Sequence, residues 1–92
     1  MKLLYCRHCG DLFSLRLVER ECECGQSRGS YNPDRATAWT RGPCEAVAIG
    51  NGSLHDALAK MRAAPPDRAF YPIMAWVRPD SGPGNPRTTH KE

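Results

Sequence analysis

The chain lacks the features that mark membrane proteins and most enzymes. Its 92 residues contain no apolar run as long as a membrane span or the core of a signal peptide. It has three histidines, none of which lies in a hydrolase or metalloprotease motif. We therefore expect a cytoplasmic protein that is not an enzyme and makes no membrane contact. In that reducing compartment, paired cysteines favour metal over disulfides, and the odd count of five cysteines agrees with this.

A strong excess of charge of one sign is also missing. The 13 basic and 10 acidic residues give a net charge of +3. Within residues 1–50, seven basic side chains are offset by six acidic ones. A nucleic-acid-binding face would therefore require the fold to segregate these charges.

The sequence does contain two cysteine pairs near its start. Cys6 and Cys9 form a Cys-x-x-Cys pair, Cys22 and Cys24 form a Cys-x-Cys pair, and a glycine follows each pair directly. Four thiolates on two such short loops can surround one Zn²⁺ with Zn–S bonds of about 2.3 Å. The glycines permit the tight turns that this requires. The pattern predicts one structural zinc ion held by Cys6, Cys9, Cys22 and Cys24.

Other uses of the cysteines and of nearby residues remain open at this point. A rubredoxin-like iron site uses similar loops, and a thioredoxin-type redox pair would need a βαβ context that the sequence does not show. His8 could replace one ligand, although its place between Cys6 and Cys9 should point it away. Cys44 is expected to be a small buried apolar residue. An enzyme using Cys44 would instead require an exposed thiol with a depressed pKa.

The remaining pattern predicts a small β-rich fold of the α+β class, with a metal-bound hairpin, further antiparallel strands and one helix. Alternating apolar residues predict a strand over Leu12–Val18, with a return at 19–21, so that the metal clamps both ends of one hairpin. Residues 26–34 have turn composition. Other strands are expected at 3–5, 35–40 and 44–49, and Ser53 is expected to cap a helix that carries an Asp56–Lys60 pair.

The predicted domain organisation is simple. Residues 1–78 should form one domain, consisting of a zinc ribbon at 1–27 and of strands and one helix at 28–78. The segment 79–92 has no apolar residue to anchor it and is expected to be a disordered tail. No internal repeat is present beyond the two cysteine pairs.

The segment Phe70–Val77 is apolar on both faces of a strand. Such a segment either completes the core or is covered only in a complex, and Pro72 favours an edge position. It contains residue types that are enriched at interfaces. The candidate partner-binding residues are Tyr71, Met74 and Trp76.

The cysteine-rich opening, Cys-Arg-His-Cys-Gly followed by Cys-Glu-Cys-Gly, resembles small uncharacterised zinc-ribbon proteins of bacteria and phages. More loosely, it is similar to zinc ribbons of transcription and translation factors. The resemblance covers about the first third of the chain and implies zinc at the four cysteines, but it implies no activity. We expect a non-enzymatic module that binds a protein partner, such as a regulator of a larger host enzyme. The alternative is a nucleic-acid-binding ribbon, in which Tyr31 and Trp39 would stack on bases.

Overall fold

The fold consists of two four-stranded sheets and a helix. The computed structural model describes residues 1–63, 70–78 and 88–91. The small β-rich fold with one helix is confirmed for this part of the chain. In chain order the elements are β1 (Lys2–Cys6), β2 (Leu12–Ser14), β3 (Arg20–Glu21), β4 (Arg28–Tyr31), β5 (Ala38–Arg41), β6 (Cys44–Ile49), α1 (Asn51–Ala63), β7 (Ala75–Arg78) and β8 (Thr88–Lys91).

The first sheet is antiparallel throughout, with strand order β2-β1-β6-β7. Its central strand β1 carries Leu4, which is fully buried and lies opposite Phe13 on β2 and Ala46 on β6. Buried and more exposed residues alternate along β6, as a strand covered on one face requires. The strands expected at 3–5 and 44–49 are therefore confirmed.

The second sheet has the order β3-β4-β5-β8 and ends in a parallel pair, β5 with β8. Its strand β4 falls within residues 26–34, which the sequence predicts to be turn, so that prediction is wrong for Arg28–Tyr31. The reason is packing: a Cβ at Gly29 would lie 2.7 Å from the Trp39 carbonyl oxygen and 3.0 Å from a methyl carbon of Leu15. Glycine at this position permits close contact within and between the sheets.

The strand β8 corrects the prediction of disorder for residues 79–92, at least for Thr88–Lys91. The backbone of β8 pairs with β5. Lys2 Nζ donates to Thr88 Oγ1 at 3.0 Å, and the Lys91 ammonium lies 4.6 Å from the centre of the Trp39 ring. These contacts are polar or cationic, so a search for apolar anchors could not find them. Residues 79–87 and 92 lie outside the described residues.

The core is small and draws on both sheets. Few of its members are large, and Tyr31 packs against it while remaining partly exposed. A core of this size stabilises a short chain only marginally. Its buried members are Leu4, Cys6, Phe13, Leu15, Cys22, Ala38 and Cys44.

The helix α1 begins two residues before the expected cap. Leu54 N donates to Gly50 O, so Ser53 lies in the first turn and the cap prediction is wrong. The hydroxyl of Ser53 instead donates to Gly50 O and accepts from the Met74 N–H. The Asp56–Lys60 pair is confirmed at 3.0 Å. Within the described chain no helix has the length and apolarity that a membrane crossing requires.

Candidate metal centre

The first cysteine loop connects β1 to β2. Cys6 ends β1, and its carbonyl oxygen accepts the Gly10 N–H at 2.8 Å. Cys6 N in turn donates to Asp11 O at 2.9 Å. Gly10 has a φ of +77°, a backbone conformation that glycine adopts without steric cost. The loop therefore reverses the chain within a few residues and returns it as β2.

The second loop connects β3 to β4 in the same manner. Gly25 N donates to Cys22 O at 3.0 Å, and Gly25 has a φ of +80°. Cys22 N donates to Ser27 O at 2.8 Å. The two loops also touch each other, because Glu23 N donates to a carboxylate oxygen of Asp11 at 3.0 Å.

This arrangement corrects the expected hairpin. The sequence predicts that strands at 12–18 and 19–21 pair with each other, whereas β2 pairs with β1 and β3 pairs with β4. Each cysteine loop is itself a chain reversal, so the strands that flank a loop become neighbours. The strand β2 also stops at Ser14, and the carbonyl oxygen of Arg16 accepts the Tyr31 N–H of the second sheet. The cysteines therefore join two sheets rather than the ends of one hairpin.

The four sulfur atoms converge on one point. The Sγ atoms of Cys6, Cys9, Cys22 and Cys24 all lie within 4.8 Å of one another. The Cys6–Cys24 separation is 3.9 Å and the Cys22–Cys24 separation is 3.4 Å. Four sulfurs arranged tetrahedrally around Zn²⁺ lie about 3.8 Å apart, whereas a disulfide requires about 2.05 Å. The predicted clustering is confirmed, and the four thiols are positioned to hold one metal ion.

Ser27 supports the cluster from inside and was missed by the sequence analysis. Its side chain is fully buried. Its hydroxyl donates to Cys6 Sγ at 3.3 Å and its backbone N–H donates to Cys22 Sγ at 3.3 Å. Hydrogen bonds of this kind orient ligand sulfurs and stabilise their charge. The sequence places Ser27 only two residues after Gly25, within a stretch of turn composition, and gives no further signal.

Gly42 packs against the backbone of the second cysteine loop. It has a φ of +101°, and a Cβ there would collide with the carbonyl oxygen of Gln26. The turn between β5 and β6 therefore packs directly against the backbone of the second cysteine loop. This contact places the N-terminal end of β6 beside the cluster.

The thiols differ in how readily they ionise. The hydroxyl of Ser27 stabilises the Cys6 thiolate and lowers its pKa to about 6. Burial opposes ionisation of Cys22, but the Ser27 N–H and the Cys24 thiol outweigh it and lower the Cys22 pKa. The Gln26 N–H favours the Cys24 thiolate, yet burial and the neighbouring sulfurs raise the Cys24 pKa to about 12. Adjacent negative charges repel each other, and a divalent cation among the sulfurs would favour ionisation of all four.

The other candidate ligands lie outside the cluster. His8 is exposed, with its Nε2 atom 3.4 Å from Gln26 Nε2. Cys44 is 6% exposed, and its Sγ donates to Arg41 O at 3.7 Å. Burial raises the pKa of the Cys44 thiol. A buried thiol with a raised pKa is the opposite of what the reactive-cysteine hypothesis requires.

The candidate partner-binding residues lie away from the metal centre. Trp76 lies opposite Ala48 on β6, whereas Cys44 lies opposite Cys6. Cys44 and Ala48 are four positions apart on β6, a distance of about 13 Å along the strand. Met74 is 64% exposed, Trp76 is 40% exposed, and Tyr71 is half-buried.

Comparison with known proteins adds no family to this description. No protein-family model, curated protein or solved structure matches the chain. The resemblance to zinc ribbons therefore rests on the spacing of the cysteines and on the sulfur cluster that they form.

Proposed function

We propose that this protein is a non-enzymatic zinc-ribbon module that binds one structural Zn²⁺ and docks on a protein partner. The observation that carries the docking proposal is a group of exposed apolar side chains on one edge of the first sheet. The zinc proposal is supported by the four clustered thiols. In our proposal the protein works in the cytoplasm, where thiols stay reduced, as a small bacterial or phage regulator of a larger host enzyme.

Zinc suits the donor set better than the alternatives. Four thiolates in a tetrahedral arrangement are typical of structural zinc sites, and such sites have no open position for water or substrate. An iron centre with the same ligands would serve electron transfer, which gives no role to the exposed apolar edge. Bound zinc would connect the first sheet, through Cys6, to the loop between β3 and β4 of the second. Its role would be to hold the two sheets together.

The docking surface, which we call the β7 face, consists of large apolar side chains at and before β7. Their exposed fractions are 74% for Phe70, 41% for Ile73, 64% for Met74, 40% for Trp76 and 64% for Val77. Trp76 and Val77 are consecutive on β7 and project to opposite faces of the sheet, so the apolar side chains flank this edge on both sides. Exposed apolar side chains at a sheet edge support an interaction site there. Aromatic residues and methionine are enriched in interface cores.

The position of β7 supports the same proposal. In the described part of the first sheet, β7 is an edge strand that pairs with β6 alone. An edge strand with apolar side chains offers both backbone hydrogen bonds and apolar contacts to an extended segment of a partner. Its two preceding neighbours in the sheet, β1 and β6, fix the direction and register of this edge.

The docking proposal is tested by photo-cross-linking in the cells that produce the protein. A benzophenone side chain replaces Val77 in one protein and Val18 in a matched control, since Val18 is 75% exposed on the loop between β2 and β3. We expect one discrete adduct from position 77 that position 18 does not give. Identical adduct patterns at the two positions, or none at either, would contradict docking through the β7 face.

Nucleic-acid binding ranks second because several of its candidate groups have other partners. Arg7 pairs with Glu45 at 3.3 Å. Arg28 pairs with two carboxylates, those of Glu19 and Glu21. The Trp39 ring, a candidate for base stacking, is covered by the Lys91 ammonium. Strong salt-dependent binding of a random oligonucleotide would reverse this ranking.

A further inference from the structure

We propose that the metal centre is an oxidation-sensitive site: when a peroxide oxidises an exposed cysteine of the cluster, Cys6 passes into a disulfide with Cys44 and the metal ion is released. The inference rests on the proposed zinc function and adds a redox response to it. The observation that carries it is the pairing of β1 with β6, in which Cys6 and Cys44 are direct cross-strand neighbours.

The hydrogen bonds between β1 and β6 show how close these two cysteines are. One residue further along, the Arg7 N–H donates to the Pro43 carbonyl oxygen at 2.8 Å, so Arg7 and Pro43 occupy a hydrogen-bonded position. Hydrogen-bonded and non-hydrogen-bonded positions alternate in antiparallel strands, which makes Cys6 and Cys44 a non-hydrogen-bonded pair. The Cα atoms of such a pair lie about 4.5 Å apart, within the range of about 4.4–6.8 Å that a disulfide requires. A disulfide is therefore compatible with the existing strand pairing.

The two thiols also lie in the same buried region. Cys6 is fully buried and Cys44 is 6% exposed. The Ser27 hydroxyl donates to Cys6 Sγ, and a Cβ at Gly42, just before Cys44, would lie 2.9 Å from Ser27 Cα. Burial is the main cause of the raised pKa of Cys44, and Ser27 and Cys6 are among the neighbours that influence it. Cys44 therefore lies beside the cluster without being one of its four members.

The exposed thiols determine where an oxidant reacts first. Cys9 and Cys24 are exposed, whereas Cys6, Cys22 and Cys44 are buried. Oxidation of cysteine depends on thiolate character and on exposure, so a peroxide in solvent meets Cys9 and Cys24 before the others. The Sγ atom of Cys24 lies 3.9 Å from that of Cys6. Oxidation at Cys24 can therefore pass to a buried thiol in one further step.

The proposed reaction consumes one hydrogen peroxide. The Cys24 thiolate attacks a peroxide oxygen, the O–O bond breaks, and hydroxide leaves a sulfenic acid behind. The Cys6 thiolate attacks the sulfenic sulfur and displaces a second hydroxide, which gives a Cys6–Cys24 disulfide. Cys44 then attacks the Cys6 sulfur, and Cys24 leaves as a thiolate that takes up the Cys44 proton. In total, Cys6 and Cys44 lose two electrons, and the peroxide is reduced to two hydroxide ions that solvent protonates to water.

The product differs from the reduced protein in what connects the two sheets. Cys6 is the ligand that β1 of the first sheet contributes directly, and the disulfide removes it from the cluster. The new bond joins β1 to β6, which are already neighbours in the first sheet. Oxidation should therefore remove the connection that we propose for the metal and keep the first sheet intact. Cys44 has no role as an enzymatic nucleophile here, because its target is the adjacent Cys6 sulfur.

The test treats the zinc-loaded protein with one molar equivalent of hydrogen peroxide. A chromogenic indicator follows zinc release, and mass spectrometry maps the disulfides after the remaining thiols have been alkylated. Trypsin divides the five cysteines among four peptides, which are 3–7, 8–16, 21–28 and 42–60. We expect zinc release together with a disulfide between peptide 3–7, which contains Cys6, and peptide 42–60, which contains Cys44.

A matched variant moves the fifth thiol by two residues. Cys44→Ala combined with Ala46→Cys keeps five cysteines and keeps the thiol in peptide 42–60. Residue 46 lies opposite Leu4, so it is a diagonal neighbour of Cys6. Diagonal neighbours lie about 7–8 Å apart, beyond the span of a disulfide. We expect the link between peptides 3–7 and 42–60 in the wild type and its loss in this variant. If the variant does not fold, the wild-type disulfide map decides.

The outcomes separate this proposal from the zinc function. The Sγ atoms of Cys22 and Cys24 are 3.4 Å apart, so the competing product is a disulfide within peptide 21–28. That product with Cys44 alkylated, or a link between peptides 3–7 and 8–16, would overturn the proposal. Equal amounts of the 3–7 to 42–60 link in wild type and variant would also overturn it. Absence of zinc before peroxide is added would contradict the zinc function and this proposal with it, whereas zinc release without the link would overturn this proposal alone.

Discussion

The two ends of the first sheet differ in how far their side chains are buried. At the cysteine end, Cys6 and Ser27 are fully buried, and hydrogen bonds connect the loops around them. At the far end, α1 buries only Ala57, and the β7 face leaves large apolar side chains in solvent. A structural metal would add stability to a chain whose own core is small. The contrast supports our proposals that a metal at the cysteine end stabilises the chain and that the far end binds a partner.

The largest expected effect separates the clustered cysteines from Cys44. Cys6→Ser removes one of four ligands, and the apparent binding free energy of a structural zinc, about 10 kcal/mol or more, is comparable to the whole stability of a small domain. We expect Cys6→Ser to lose its cooperative thermal transition in circular dichroism. Cys44→Ala, also a buried thiol, should keep the transition and lose about 0.5–3 kcal/mol. Similar melting curves for the two variants would break the assignment of stability to the cluster.

The next largest expected effect compares the stability lost on truncating a core residue with the stability lost on truncating a residue of the β7 face. Leu4 is fully buried, so Leu4→Ala should cost about 2–5 kcal/mol of unfolding free energy. Val77 is 64% exposed, and Val77→Ala should stay within about 0.5 kcal/mol of the wild type. Urea unfolding of the metal-loaded proteins measures both. A large loss for Val77→Ala would show that the β7 face belongs to the core of the isolated chain.

Alanine substitutions at two glycines, one beside the cysteine loops and one in α1, should change the free energy of unfolding by smaller amounts and in opposite directions. An alanine Cβ at Gly42 would collide with the Gln26 backbone and would also need a positive φ, so we expect a cost of about 1–3 kcal/mol. Gly52, in the first turn of α1, has open space around it, and Gly52→Ala should stabilise the protein by up to about 1 kcal/mol. Thermal melts of the pair measure this, and the same sign for both would contradict the described packing.

The smallest effect concerns the turn between β4 and β5. Asp34 accepts hydrogen bonds from the backbone N–H groups of Ala36 and Thr37, which lower its pKa below the ordinary value of 3.8. Because the folded pKa is the lower one, the unfolded chain takes up the proton first as the pH falls. The stabilising contribution is therefore present above about pH 4 and is lost as the pH falls through the folded pKa.

The measurement is the melting temperature of wild-type protein and of Asp34→Asn over this acidic range. The wild type should be the more stable at neutral pH, and the difference should shrink under acid conditions. A difference that is constant with pH would show that the carboxylate charge plays no part in the turn.

The cysteine cluster could be predicted from the sequence because the spacing of each cysteine pair is a local pattern. Two short cysteine spacings, each followed by glycine, require no knowledge of the fold. The strands β1 and β6 could also be predicted from local patterns. Apolar residues are consecutive in β1, and buried and more exposed positions alternate in β6. The turn at Asp34 was also recognisable, because its side chain bonds its own backbone.

Two of the features that the sequence analysis missed depend on distant parts of the chain. The strand β4 looks like a turn until Gly29 is seen against Trp39 and Leu15. The strand β8 has no apolar residue and is held by β5 and Lys2. The pairing of β2 with β1 depends on recognising that a cysteine loop reverses the chain. For β4 and β8 the deciding contacts are tertiary, whereas the pairing of β1 with β2 is local and follows from the chain reversal at the cysteine loop.

Native mass spectrometry of the purified chain with elemental analysis, before and after chelation, tests most directly whether the four cysteines bind one structural zinc ion. We expect one zinc ion on the wild type and on Cys44→Ala, and none on Cys9→Ser. Chelation should convert the compact charge states of the wild type to extended ones. Iron in place of zinc, or a metal-free compact chain with two disulfides, would contradict a structural zinc site.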